Sequence, residues 1–457
     1  MNTPIIPQGY HPPSSPGRFS SLQNDDEQSE DNDEPESQHK ISLRHNKRSH
    51  VGYDHFFDVP NPKITIWTLG NLALHSEETH TFICSHPSLL DRIAQFLVVD
   101  NYAFSAAAFF FFAIARREVP DPQIINSLYL NSVESIVQLA NGDIFRSTPP
   151  LTQTHAHPLE DLFKALRHID ISYSALVNLT ESNFFFLCSY FLCDPLYLNC
   201  SSSILHFIVS LTVYDDKDPR IPIILHTLKS TPLFATILQF VKTTIDKNQI
   251  VLFDLSLRRC FTILTNLIFD SEDLSKEILD SNILTTILSV VELFPPDTLT
   301  ELVFLLLNLS NSTHEIAQSA IKFNIPRFAL VFLRGLTNLS TVSKSISMLT
   351  KFLMKDRTGL FLQQIQDLDL IPYVENHKES QHLHCQSSAT KFLLEYQQRE
   401  QAFQFQAQRL ESSSRGEIIP DVAVTPPFDD EDYSDSENDD DLEQGPYSPN
   451  VMKGAFL

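Results

Sequence analysis

The chain has 457 residues, a formal net charge of −24 from 57 acidic and 33 basic residues, and only 10 glycines. So few glycines leave little to build phosphate loops, dinucleotide turns or tight hairpins, which need positive φ or close backbone approach, and they point instead to helices. Eight acids lie within residues 24–36 and twelve within 417–443; setting these aside, with the bases Arg18, Lys40, Arg44, Lys47, Arg48 and Lys453, leaves 37 acids against 27 bases, which argues against nucleic acid and for a basic protein partner.

Residues 1–60 are rich in Pro, Ser, Asp, Glu and Asn and poor in aliphatics. Such a segment cannot bury enough surface to offset its ordering entropy, so it is expected to be a disordered tail. Within it HKISLRHNKRSH, at 39–50, is a small basic island in acidic surroundings.

From Ile64 to about Leu410 the texture changes to dense Leu, Ile, Phe and Val at helical spacing, interrupted by Asp, Asn, Ser and Pro. A folded region of short helices is therefore expected over 61–411. Its most apolar run, Tyr102–Ala115, is about 14 residues long where a bilayer span needs about 20, so it reads as a buried helix and no membrane is expected as a partner.

Repeats are visible in this region. LTNLIFDSEDLSKEILDSNILTTILSVV starts at Leu264 and LLNLSNSTHEIAQSAIKFNIPRFALVFL at Leu306, which sets Asn266 and Asn308 42 residues apart; another 42 residues lead to Thr350 in MLTKFLMKDRTGL. The phrase returns around Asn71 and, degenerately, Ala113, and further markers are Asn178 and Ser210, with an insertion around Gly142–His157. A period near 42 is that of armadillo and HEAT units, and about seven repeats are expected. FLLEYQQREQAFQFQAQRL, within 388–410, has one apolar face and should cap the array.

Residues 412–457 are again acidic and poor in aliphatics and are expected to be a second disordered tail. Ser434 and Ser436 precede acids there, and Ser15, Thr425 and Ser448 precede proline, contexts that suit kinases but arise often by chance.

The six cysteines form no CxxC pair and follow no cationic signal-peptide start. They read as buried thiols of a reduced cytoplasmic or nuclear protein. Cys188, Cys193 and Cys200 are close in sequence but match no common zinc spacing, so no metal is expected. His155, His157, Glu160, Asp161, Asp215, Asp216 and Asp218 sit beside no nucleophile in a recognisable elbow or loop, and neither an enzyme activity nor a cofactor is expected.

IWTLGNLA, at Ile66–Ala73, resembles the third helix of an importin-α armadillo repeat, in which a Trp is followed four residues later by an Asn. The resemblance implies an all-α, right-handed α-solenoid of about seven armadillo-like repeats between disordered tails. It also implies that Trp67 and Asn71, on one helix face at i and i+4, look into a concave groove that binds basic linear segments. Asn178, Asn266 and Asn308 would be further peptide-binding positions, and the basic island 39–50 would meet an importin-β-like receptor or fold back on the groove. The residues four before these asparagines are Ser174, Thr262 and Phe304, and Trp67 is the single tryptophan. Two readings follow: a nuclear import adaptor for basic segments, or an armadillo scaffold holding a folded protein partner, with the asparagines bonding only to neighbouring turns.

Overall fold

The computed structural model describes residues 61–98, 101–119, 121–145, 156–212, 218–269 and 271–414. The N-terminal tail with its basic island and receptor role, and residues 415–457 of the C-terminal tail, lie outside the described residues. Among those described there are helices and no strands.

A lone helix α1 (Pro62–His75) opens the array. The first repeat is α2 (Glu77–Cys84), α3 (Pro87–Ala94) and α4 (Phe104–Ala115), and the second is α5 (Pro122–Phe145) and α6 (Ala156–Arg167). The third is α7 (Tyr173–Glu181), α8 (Phe184–Cys193) and α9 (Ser201–Thr212), the fourth α10 (Arg220–Ser230), α11 (Leu233–Asp246) and α12 (Asp254–Ile268). The fifth is α13 (Glu272–Asp280), α14 (Ile283–Leu288) and α15 (Pro296–Asn311), the sixth α16 (His314–Ile321), α17 (Ile325–Gly335) and α18 (Leu339–Lys355). The seventh is α19 (Leu360–Asp367), α20 (Ile371–Glu375) and α21 (Leu383–Ser414). Seven repeats agree with the expected number. The last helix runs three residues beyond the expected end at 411 and begins five before Ser388.

Local chemistry sets the breaks. Asn61, Ser76, Ser271 and Asn338 accept from the free N–H groups that begin α1, α2, α13 and α18, and Glu272 and Asp273 add negative charge at the positive end of α13. The corner between the first two helices of a repeat is a single left-handed residue, Asn183, Asn282 or Asn324, with φ of 57°, 58° and 54°. Asparagine tolerates that region better than other side chains. Between α18 and α19 the same backbone need is met by Gly359, at φ +75°, where an added Cβ would lie 2.8 Å from the Phe403 ring. Gly359→Ala is expected to cost about 1–2 kcal/mol, from strain and displacement of Phe403, read as a lowered urea midpoint with an unchanged slope.

The third helices pack on one another in the order α1, α4, α6, α9, α12, α15, α18, α21, forming a ladder, while the shorter helices cover its other side. Uniform offsets show that the ladder helices run parallel: Ser201–Ser256 and Thr212–Asn266 join α9 to α12 at 55 and 54 residues, and Ser343–Ser388 and Met354–Arg399 join α18 to α21 at 45. One apolar core runs the length of the array. In its middle Phe163 of α6, Phe184 of α8 and Phe207 of α9 are fully buried with ring centroids 5.8–6.0 Å apart.

The apolar run of α4 is buried, as expected, and no single helix among the described residues is long and apolar enough to cross a membrane. Five cysteines are buried, but Cys193, at the end of α8, is exposed, against the expectation of six buried thiols. It is the last residue of its helix, past the apolar face that buries Cys188.

Candidate functional site

The five asparagine and tryptophan positions do not form one row. Trp67 and Asn71 lie on α1, Asn266 on α12 and Asn308 on α15, all in the ladder, whereas Asn178 lies on α7, a covering helix. The corner residues explain the difference. Asn266 and Asn308 each precede their left-handed corner, Asn282 and Asn324, by 16 residues, but Asn178 precedes Asn183 by only five. The residue 16 before Asn183 is Arg167, the last residue of α6. In the second repeat the ladder position thus carries an arginine.

The amide donors of the ladder asparagines are engaged internally. Asn308 Nδ2 donates to the Thr265 carbonyl at 2.9 Å, Asn266 Nδ2 to Thr212 Oγ1 at 3.0 Å, and Asn71 Nδ2 to the Trp67 carbonyl one turn back at 2.9 Å. Phe304, four residues before Asn308, already has a cation on its face: Lys344 Nζ from α18 sits 4.4 Å from the ring centroid. Lys351 Nζ likewise donates to Asn311 Oδ1 at 2.6 Å. Of the two aromatics placed four residues before a ladder asparagine, Trp67 and Phe304, Trp67 presents an open surface, 54% exposed.

Between α4 and α12 the exposed side of the ladder carries a row of basic groups. Arg116 follows α4 and is exposed, Arg167 and the exposed His168 close α6, His206 is midway along α9, and Arg259 lies one turn into α12. Phe112 of α4 joins the row, its ring 6.3 Å from that of His168 and 5.7 Å from Lys164 Nζ. Arg167 Nε donates to His168 Nε2 at 3.2 Å and Arg167 Nη1 to His206 Nδ1 at 2.6 Å. Arg259 Nη1 donates to the hydroxyl and carbonyl of Ser202.

A guanidinium has no acceptor, so each imidazole nitrogen facing Arg167 must be the bare one and both histidines are neutral in this arrangement. Electrostatics agrees. Burial, then Arg259 and Arg167, push His206 down to about 3; His168, whose outer edge is exposed while its ring lies beside Phe112, is pushed down to about 4 by desolvation, then by Arg167 and Arg116. Arg259 is lowered to about 10 by burial and by Arg167, and Arg167 is lowered by burial and by Arg116. Near pH 7 the row is therefore three mutually repelling guanidiniums with two neutral imidazoles between them. Among the described residues, Arg116, Arg167 and Arg259 have no carboxylate partner within ion-pair distance, whereas neighbouring Arg258 pairs with Asp297 at 3.0 Å and Lys164 with Glu160 at 2.8 Å. The sequence-level balance of acids over bases concealed this row, because the acids cluster elsewhere.

No family model and no curated protein matches the chain. Among solved structures, a chain from the work on a conserved phosphorylation switch controlling the interaction between cadherin and β-catenin matches with a TM-score of 0.51 at 12% identity, covering 73% of this chain and 57% of that one. The fold is that of the armadillo solenoids. A designed armadillo repeat protein in complex with the peptide (KR)4 matches at TM-score 0.45 and 10% identity, over 58% of this chain and 99% of that one. A computationally designed armadillo protein for modular peptide recognition gives 0.46 and 10%, over 57% and 99%. In armadillo terms, the basic row occupies the third helices of the first four repeats.

Proposed function

We propose that this armadillo protein is a non-catalytic binding scaffold that receives an extended acidic segment of a partner protein along the ladder from α4 to α12. The observation that carries the reading is the set Arg116, Arg167 and Arg259, held together without carboxylate partners among the described residues. Bringing an anionic chain across the row relieves their mutual repulsion and supplies charge-assisted acceptors to the half-buried Arg167 and Arg259, where such bonds are stronger than on an open surface. The spacing of successive ladder helices, about 9–10 Å, suits an extended strand that meets one helix roughly every three residues. The chain from the work on the cadherin and β-catenin interaction comes from a structure concerned with binding between proteins, which is consistent with a protein partner.

A second reading, a nuclear import adaptor moving between cytoplasm and nucleus with basic segments in its groove, is favoured by one observation: the exposed Trp67 one turn from Asn71. Elsewhere the row is cationic and Phe304 is covered by Lys344, which leaves a basic peptide little to bind.

Anisotropy titration of the full chain with a labelled Glu/Asp-rich peptide and a Lys/Arg-rich peptide separates the two. The acidic peptide should bind, weaken with salt, and lose on the order of 100-fold with Arg116→Gln, Arg167→Gln and Arg259→Gln combined, at about 1 kcal/mol per lost charge-assisted contact. Tighter binding of the basic peptide, weakened by Trp67→Ala with Asn71→Ala, would replace the first reading by the second.

A further inference from the structure

We infer that the basic row is occupied in cis by the chain's own acidic segment 417–443, which an external acidic partner must displace. The inference rests on the proposed acid-binding face and names its resident ligand. The segment has twelve acids in 27 residues, nine of them between Asp429 and Asp441, and no base. The other acidic stretch, 24–36, has eight acids and is followed by the basic island 39–50, which the arginine row would repel.

Placement favours the C-terminal segment as well. Arg399 Nη2 donates to the Met354 carbonyl near the end of α18, so the fifteen further residues of α21 project about 22 Å past that end. The ladder helices run parallel, so α21 ends on the side of the ladder at which Arg116 and Arg167 close α4 and α6. From Ser414, α12 is three ladder steps away, roughly 30 Å, and α4 six steps, roughly 60 Å. Residues 415–443 can span up to about 95 Å when extended, enough to cross the whole row. A tethered ligand of this kind competes at an effective concentration near the millimolar range, so even a weak intrinsic contact holds the face against dilute partners.

The test uses full-length protein and a full-length variant with the nine acids of 429–441 changed to Asn or Gln. A labelled peptide of residues 417–443 is titrated into each, and the Glu/Asp-rich peptide serves as a second probe. The 417–443 peptide should bind the neutralised variant at least about tenfold tighter than the natural chain, and adding Arg167→Gln with Arg259→Gln should remove about tenfold or more of that affinity, with the helical circular dichroism unchanged. Equal binding to the natural and neutralised chains, or binding indifferent to the two arginines, overturns the cis occupation. If the neutralised variant binds the Glu/Asp-rich peptide but not 417–443, only this inference falls. If it binds neither, the acid-binding face falls with it.

Discussion

Phe207→Ala is expected to lower unfolding stability by about 3–5 kcal/mol. Phe207 is fully buried and its ring meets those of Phe163 and Phe184 at 5.9 and 5.8 Å, so one side chain ties α9 to the preceding ladder helix and to its own covering helix. Truncation removes the buried ring and leaves a cavity between three helices that cannot close without moving the ladder. Because each repeat touches mainly its neighbours, the loss should be local in the first instance. Hydrogen exchange should speed up across α6–α9 before it does across α15–α18, and urea unfolding should broaden. A change below about 1 kcal/mol, or exchange that rises uniformly, would mean that this cluster is not the joint it is taken to be.

Asp356→Ala should cost about 3 kcal/mol, although it removes only three heavy atoms at a loop. The carboxylate is 1% exposed and accepts from five donors: Oδ1 from Thr358 N, Thr358 Oγ1 and Gly359 N at 2.9–3.1 Å, and Oδ2 from Phe361 N and Leu362 N at 2.9 and 3.3 Å. It thus satisfies N–H groups that the first turn of α19 cannot satisfy itself, at the positive end of that helix. Alanine leaves those buried donors without an acceptor, which is the costly half of losing a hydrogen bond. Asp356→Asn should recover little, since an amide can accept on one side only and turns an N–H toward donors on the other. Thermal unfolding of both variants decides this. An Asn variant as stable as the natural chain would show that Oδ2 matters little.

Much of the fold could be read in the sequence where repeat chemistry stayed intact. Asn266, Asn308 and Thr350 keep a 42-residue step because α12, α15 and α18 pack alike and each is followed by two short covering helices. The reading failed at the second repeat. There α5 is one continuous helix of 24 residues where other repeats have two, so the period is broken, and α6, AHPLEDLFKALR, has lost the Asn phrase altogether. VNLTES at Asn178 supplied a false match on a nine-residue covering helix. The left-handed corner asparagines are the better ruler, since backbone geometry fixes them, and counting back from Asn183 leads to Arg167. The basic row itself has no linear signature. Arg116, Arg167, His206 and Arg259 are 39 to 53 residues apart, and only the parallel stacking of the ladder makes them neighbours.

The polar contacts that cross the ladder differ at every junction. Between α12 and α15, Thr298 Oγ1 meets Asp254 Oδ1 at 2.5 Å, and Thr262 Oγ1 and Arg258 meet the buried Glu301. Between α15 and α18 the joint is lysine to Asn311 and to the Ser310 and Ser312 carbonyls, and between α18 and α21 it is Ser343 and Ser347 to Ser388. Stacked helices with similar apolar faces could dock in the wrong order at little cost, and unlike polar joints act as addresses that forbid it. Deleting the fifth repeat would bring α18 against α12 and set Ser343, the counterpart of Glu301 one repeat on, beside Arg258, which would lose the carboxylates of Asp297 and Glu301. This array therefore cannot gain or lose a whole unit as a consensus repeat protein can; its length is written into its seams.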